Sequence, residues 1–289
     1  MSQIHIAAIL GLSLTFYGLT ACHAQNDTSQ KAQQQPKQQS SSKIQQDYQL
    51  KTIAQFNEPW AISSLTDGRL LITERKGKLQ LFDPQTRQKV EVKGIPKVAY
   101  GGQGGLGDIA LHPQFAQNRQ VYISYAAAGQ GGYGAVVARG ELDLSNAKDP
   151  QLKNLKTIWQ QVPKVQGQGH YGHRLLFGSD GKLWISSGER QKFDPAQDMQ
   201  SNLGKILRLN DDGTPASGNP FMTQGEIAQQ VWSLGHRNPL GIAFDHKGQL
   251  WVAEMGPKGG DELNLITKGE NYGYPFVSNG DHYDGKDIP

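Results

Sequence analysis

The sequence predicts an all-β fold built from a repeated hairpin unit, the arrangement of a β-propeller. Three observations predict it. Short apolar runs bounded by Gly, Asp and Asn dominate the chain after about residue 48, and helical periodicity is hard to find there. A strand, a tight turn and a second apolar strand recur, and the turns contain Asp-Gly or Lys-Gly pairs suited to positive φ. The turns return at intervals of roughly 50 to 67 residues, the spacing of four-stranded blades.

The segments before the fold read differently. Residues 1–22 carry an apolar run from Ile6 to Leu19 followed by Leu19-Thr20-Ala21-Cys22. An apolar stretch ending in small residues is the pattern of an export signal, and it is short for a membrane span. Leu-Thr-Ala-Cys also has the form of a bacterial lipobox, which makes Cys22 the expected lipidation site. Cys22 is the only cysteine in the sequence, so no intramolecular disulfide can form. No Lys or Arg precedes Lys31, so a basic n-region is missing; a plain secretory signal is the other reading. Residues 23–47 are rich in Gln and Ser and cannot bury enough surface to offset their ordering entropy. They are expected to form a disordered tether. The expected location is exported and periplasm-facing: an outer-membrane lipoprotein, or a soluble periplasmic protein without the lipid.

Residues 48–289 hold the propeller. Its units are Trp60-Ala-Ile with Asp67-Gly68-Arg-Leu-Leu-Ile-Thr-Glu, and Leu106-Gly-Asp-Ile-Ala-Leu with Asn118-Arg-Gln-Val-Tyr-Ile-Ser. Two more follow: Arg174-Leu-Leu-Phe with Asp180-Gly181-Lys-Leu-Trp-Ile-Ser, and Gly241-Ile-Ala-Phe with Lys247-Gly248-Gln-Leu-Trp-Val-Ala-Glu. About four blades are therefore expected. The formal charge of +3 is small and no basic cluster alternates with aromatics, which excludes nucleic acid as the expected partner. Beyond the signal no apolar run approaches membrane-spanning length, leaving a lipid anchor as the only expected membrane attachment.

Four clusters at the repeat boundaries carry the chemistry. Gly101-Gly-Gln103-Gly-Gly105 lets backbone approach a ligand beside one amide side chain, or is a flexible loop. Gly167-Gln-Gly-His170-Tyr-Gly-His173-Arg174 puts a proton-transfer group in a Gly-rich loop, or is a turn with exposed histidines. No further His or Cys set of ligand spacing joins those two histidines. Gly235-His236-Arg237-Asn238-Pro239 offers a fixed Arg for bidentate recognition of a carboxylate, or a structural tie between loops. Glu254-Met-Gly256-Pro257-Lys-Gly-Gly-Asp261-Glu262, with Asn271-Tyr272-Gly273 beyond it, presents hard oxygen ligands of the kind Ca²⁺ takes, or is a solvated acidic turn.

In order, the stretches GGQGGLGDIALHPQF, GHYGHRLLFGSDGKLW, SLGHRNPLGIAF and EMGPKGGDELNLITKGENYGYP resemble the soluble quinoprotein aldose (glucose/sorbosone) dehydrogenases, which use pyrroloquinoline quinone (PQQ). The resemblance runs from about Trp60 to Tyr283. It implies a six-bladed propeller of the quinoprotein type with about four blades in this chain, PQQ flat over the central opening, and Ca²⁺ bound to it. By the same resemblance His170 is the general base, taking the anomeric proton of an aldose while hydride moves to the quinone and a lactone forms. Gln103 contacts PQQ or substrate. Arg237 and Asn238 bind the quinone, and Tyr283 lies at the cofactor mouth. The carbonyls of Gly256 and Pro257 hold the cofactor Ca²⁺. Glu262 and Tyr272, the latter through its carbonyl, hold a further Ca²⁺. An external electron acceptor completes the partners. Arg and Ca²⁺ both suit a polyanionic quinone.

Two departures accompany the resemblance. Gly169 precedes His170 where glucose-oxidising members carry an acidic residue, so no carboxylate is expected from that position to assist the base. The family also continues past the point matching Pro289, with further blades and basic quinone contacts, so the sequence reads as C-terminally incomplete. Two other functions fit the clusters: a Ca²⁺-dependent hydrolase of sugar lactones, which leaves Arg237 without a clear job, and a non-catalytic propeller that binds a carbohydrate or a protein.

Overall fold

The computed structural model describes residues 50–285 and 288. The export signal, Cys22 and the tether expected over residues 1–47 lie outside them. From Lys51 onward the chain forms one unit of four successive antiparallel sheets. The first blade runs β1 (Pro59–Ser64), β2 (Leu70–Glu74), β3 (Lys78–Phe82) and β4 (Lys89–Val92). The second runs β5 (Leu106–Leu111), β6 (Gln120–Gly129), β7 (Gly132–Asp143) and β8 (Gln151–Gln160). The third holds β9 (Gly172–Phe177), β10 (Leu183–Ser187), β11 (Lys205–Leu209) and β12 (Val231–Leu234). The fourth holds β13 (Pro239–Phe244), β14 (Leu250–Glu254) and β15 (Glu262–Ile266). Strands pair in chain order within every blade, so the expected propeller of about four blades is what forms.

The sequence pattern follows from the layering. A middle strand is covered on both faces by neighbouring blades, so it reads as a continuous apolar run rather than an alternation. Leu183-Trp-Ile-Ser-Ser is buried at every position. Three apolar clusters fill the interfaces: Leu71, Leu79, Ile109 and Ile123 between blades 1 and 2; Tyr122, Val137, Ile185 and Leu207 between blades 2 and 3; Trp184, Ile206, Val252 and Ile266 between blades 3 and 4. The outermost β8 alternates Lys and Gln with apolar residues, and such charged edges resist pairing with another chain. One expected turn differs. The link before β6 is a single helical turn, Phe115–Asn118, closed by Arg119 in the left-handed region at φ 55°.

The first strands of successive blades touch: β1 meets β5, β5 meets β9, and β9 meets β13. Their leading ends therefore gather the loops that carry Gln103, His170 and Arg237. A register shift between Ile185 and Ser187 lets the chain leave β9 toward that end. Gly172 sits there at φ 76°, where a Cβ would meet the Ser186 carbonyl at 2.5 Å. Among the described residues no helix is long and apolar enough to cross a membrane.

Candidate active site

His170 stands in the loop two residues before β9, only 3% exposed, and its backbone takes the left-handed conformation at φ 48°. A non-glycine residue held there needs outside support. Gln103 supplies part of it, its Oε1 accepting from the His170 N–H at 2.7 Å. Arg190 supplies more. Its guanidinium is buried, donates to the Gly169 carbonyl at 2.9 Å and the Gly167 carbonyl at 2.6 Å, and lies 3.7 Å over the Tyr171 ring.

The imidazole has a carboxylate partner that the sequence reading missed. His170 Nδ1 is hydrogen-bonded to Glu189 Oε1, and Glu189 is fully buried. The other oxygen of Glu189 accepts from the N–H of Lys192 and, at 2.8 Å, of Phe193. Burial pushes the Glu189 carboxyl up, but the His170 bond and charge and these backbone donors outweigh it and hold the group below its ordinary value. The carboxylate beside the His170 ring, not expected from position 169, thus comes from the loop after β10. Gly188 lets the two loops meet: a Cβ there would stand 2.2 Å from the His170 carbonyl. The only signal in the sequence was an acidic residue two positions past an apolar strand.

Arg237 faces the same space. It is 4% exposed, donates from Nη1 to the carbonyls of Met255 (2.8 Å) and Gly256 (2.6 Å), and keeps a buried Nε with no acceptor. Its loop is anchored from below by Glu254, which accepts from the Arg237 N–H and, at 2.9 Å, pairs with Nδ1 of buried His236. His236 Nε2 bonds Ser233 Oγ at 2.8 Å. Glu254, read as one of several acidic oxygens in the turn, is therefore a support for the Arg loop.

His170, Glu189, Arg237, Pro257, Tyr274 and Tyr283 line one cavity of about 390 Å³, together with Gln191 and Phe193. Tyr283 is 74% exposed at its edge, with Arg237 5.8 Å from its ring. Burial, with the Glu189 charge adding to it, pushes the Tyr274 phenol up to about 12, so it stays protonated. Gln191 fills the space a side chain at 169 would take: a Cβ on Gly169 would meet its Oε1 at 2.3 Å.

Two expected cofactor contacts are placed differently. Gln103 and Asn238 line a neighbouring cavity of about 280 Å³ with Trp60 and His173. The carboxamide oxygen of Gln103 is spent on the His170 backbone, and Asn238 Oδ1 accepts from the Gly172 N–H at 3.1 Å. Both bond the backbone of the loop that carries His170. His173 does not join His170. It is stacked on Tyr171 with both ring nitrogens buried and unpartnered.

The expected metal ligands fall in two places. Gly256 and Pro257 stay beside Arg237; the Gly256 carbonyl takes the Arg237 bond and the Pro257 carbonyl accepts from Gly260 N at 3.0 Å. Glu262 and Tyr272 line a separate cavity of about 600 Å³ with Asp261 and Asn264. Glu262 accepts from Asn264 at 2.9 Å, and the Tyr272 hydroxyl donates to the Leu265 carbonyl. Among the described residues no group of three His, Cys, Asp or Glu side chains is placed to hold a metal.

The four-bladed propeller thus carries a buried His–carboxylate pair and a buried Arg at one end of its inner strands. The sequence pattern of the Glucose / Sorbosone dehydrogenase family matches residues 56–289, and the chain belongs to that family. It is 39% identical over 239 residues to the aldose sugar dehydrogenase YliI of Escherichia coli, covering 81% of this chain and 63% of that protein. It is 30% identical to quinoprotein glucose dehydrogenase B of Acinetobacter calcoaceticus, covering 78% and 52%. The PQQ-bound aldose sugar dehydrogenase of Streptomyces coelicolor superposes with a TM-score of 0.73 at 35% identity, covering 83% and 69%. The chain thus spans between about half and two thirds of the length of these relatives.

Proposed function

We propose that this protein oxidises an aldose at its anomeric carbon to the lactone, with PQQ as cofactor and His170 as general base. The observation that carries the reading is the buried His170–Glu189 pair opening on the cavity that Arg237 also lines. Because the carboxylate engages Nδ1, that nitrogen holds the proton and the Nε2 lone pair is left for substrate. His170 Nε2 takes the proton of the anomeric hydroxyl, and Glu189 steadies the imidazolium that results. When bound, PQQ supplies the acceptor for the hydride leaving C1.

The residues present fit a polyanionic quinone. The buried Nε of Arg237 has no protein acceptor, and Arg237 would pair with a carboxylate of the cofactor. The carbonyls of Gly256 and Pro257 would hold Ca²⁺, in competition with Arg237 Nη1 for the Gly256 oxygen. Glu262 and the Tyr272 carbonyl would hold a further Ca²⁺. An external acceptor re-oxidises the cofactor, and Cys22 anchors the protein at the periplasmic side of the outer membrane.

Reconstitution with PQQ and Ca²⁺, followed by dye reduction with a panel of aldoses, tests the reading. Aldose-dependent reduction that requires PQQ is expected. Lactone hydrolysis without PQQ, and no dye reduction with it, would replace the reading with a hydrolase.

A further inference from the structure

Blades 1, 3 and 4 close their first hairpin with the same turn. Leu65 N donates to Arg69 O at 2.8 Å, Gly178 N to Lys182 O at 2.9 Å, and Asp245 N to Gln249 O at 2.9 Å. In blades 3 and 4 the returning strand carries a Trp at the same register, Trp184 and Trp251. In blade 4 the first turn residue serves that Trp: Trp251 Nε1 donates to Asp245 Oδ2 at 3.1 Å. The matching residue in blade 3 is Gly178, and Trp184 Nε1 is buried with no acceptor, in a side chain only 5% exposed.

The place of the missing acceptor is flanked on two sides. A Cβ built on Gly178 would stand 3.0 Å from Trp184 Nε1, 2.7 Å from Asp180 Oδ1 and 3.4 Å from the Phe244 ring. It borders a cleft of about 450 Å³ between blades 3 and 4, walled by Trp184, Trp232, Phe244 and Arg208. Asp180, 43% exposed, forms its rim and holds Arg208 at 2.7 Å. This cleft lies at the trailing ends of β9 and β13, away from His170 and Arg237 at their leading ends.

We propose that this cleft is a second, non-catalytic binding site for a saccharide. An N–H donor and a carboxylate acceptor facing one space call for a group that accepts and donates at once, which is a hydroxyl. A purely apolar ligand leaves the indole N–H unpaired. The aromatic walls of Trp232 and Phe244 take the C–H face of a sugar ring, burying apolar area while the hydroxyls stay bonded. The site stands on the turn and the cleft alone and does not depend on the oxidation chemistry.

The test uses the full chain without cofactor, labelled with ¹⁵N-tryptophan and titrated with methyl β-D-glucopyranoside. That sugar has no free anomeric hydroxyl, so it cannot be oxidised at C1. Saturable movement of the Trp184 and Trp232 indole signals, with Trp251 unmoved, is expected. Gly178→Ser, which supplies an internal acceptor, and Trp232→Ala should each weaken binding about tenfold or more. The Trp251 signal reports that the fourth blade stays folded in both variants. No saturable shift, an equal shift with glycerol at matched hydroxyl concentration, or unchanged binding in Gly178→Ser would overturn the proposal.

Discussion

His170 and Glu189 are separated by 19 residues of chain, yet the ring of one and the carboxylate of the other share a hydrogen bond in a buried setting. The strand pair β9–β10 is the reason. Its hairpin returns Glu189 to the end of the sheet from which His170 departs. The backbone donors of Lys192 and Phe193 then fix the second carboxylate oxygen.

Glu189→Gln keeps the shape but removes the charge that orients the ring and stabilises the imidazolium. A fall in kcat of roughly 10²–10⁴-fold is expected, the range found for positioned acid–base groups and their partners. Unchanged thermal unfolding and steady-state kinetics on the reconstituted protein check it together.

Gln103 is expected to act on the base without touching the cofactor, because its carboxamide oxygen accepts from His170 N. Gln103→Ala should lower kcat by about tenfold, the weight of one lost hydrogen bond of roughly 1 kcal/mol or slightly more. The PQQ dissociation constant, read by fluorescence quenching, should stay within about twofold. An equal loss in PQQ affinity would return Gln103 to the cofactor wall.

Arg190 ties the His170 loop to the Glu189 loop through two carbonyls. Arg190→Lys cannot reproduce a two-pronged planar contact. Chemical denaturation should show a loss of about 1–3 kcal/mol, the cost of leaving buried polar groups unpaired. Activity should fall with it, since His170 then loses its support.

His173 predicts a pH dependence. Burial, reinforced by the nearby Arg190 and Arg174 charges, lowers it to about 3 from its ordinary 6.5. Between those values the unfolded chain binds a proton that the folded chain refuses, so stability falls as pH drops through that window. The slope is about 1.4 kcal/mol per pH unit from this one group. His173→Phe, an apolar ring for the same stack, should flatten the acid limb of stability measured from pH 7 to 4.

The blades were legible because the turn chemistry is local. Asp67-Gly68, Asp180-Gly181 and Lys247-Gly248 each mark a hairpin whose geometry needs a positive φ, and Gly68, Gly181 and Gly248 all have it. His170 and Arg237 were legible as polar residues in Gly- and Pro-bounded loops at blade boundaries. Glu189 was not, because nothing in Ser-Ser-Gly-Glu-Arg marks it apart from a strand end; the sheet return makes it a partner. The roles of Gln103 and Asn238 were hidden for the same reason. Their bonds to His170 and Gly172 bridge 67 and 66 residues of chain. Resemblance placed them near the cofactor, while packing has them holding the backbone at His170 and Gly172.

The most direct measurement is an anaerobic single turnover. The PQQ- and Ca²⁺-loaded protein is mixed with excess aldose, and the oxidised quinone absorbance is followed against His170→Ala. Rapid loss of the quinone band in the wild type, slowed at least about 10²-fold in His170→Ala with PQQ still bound, is the predicted result. Equal rates in the two proteins, or an unchanged quinone band in the wild type, would contradict a His170-based oxidation.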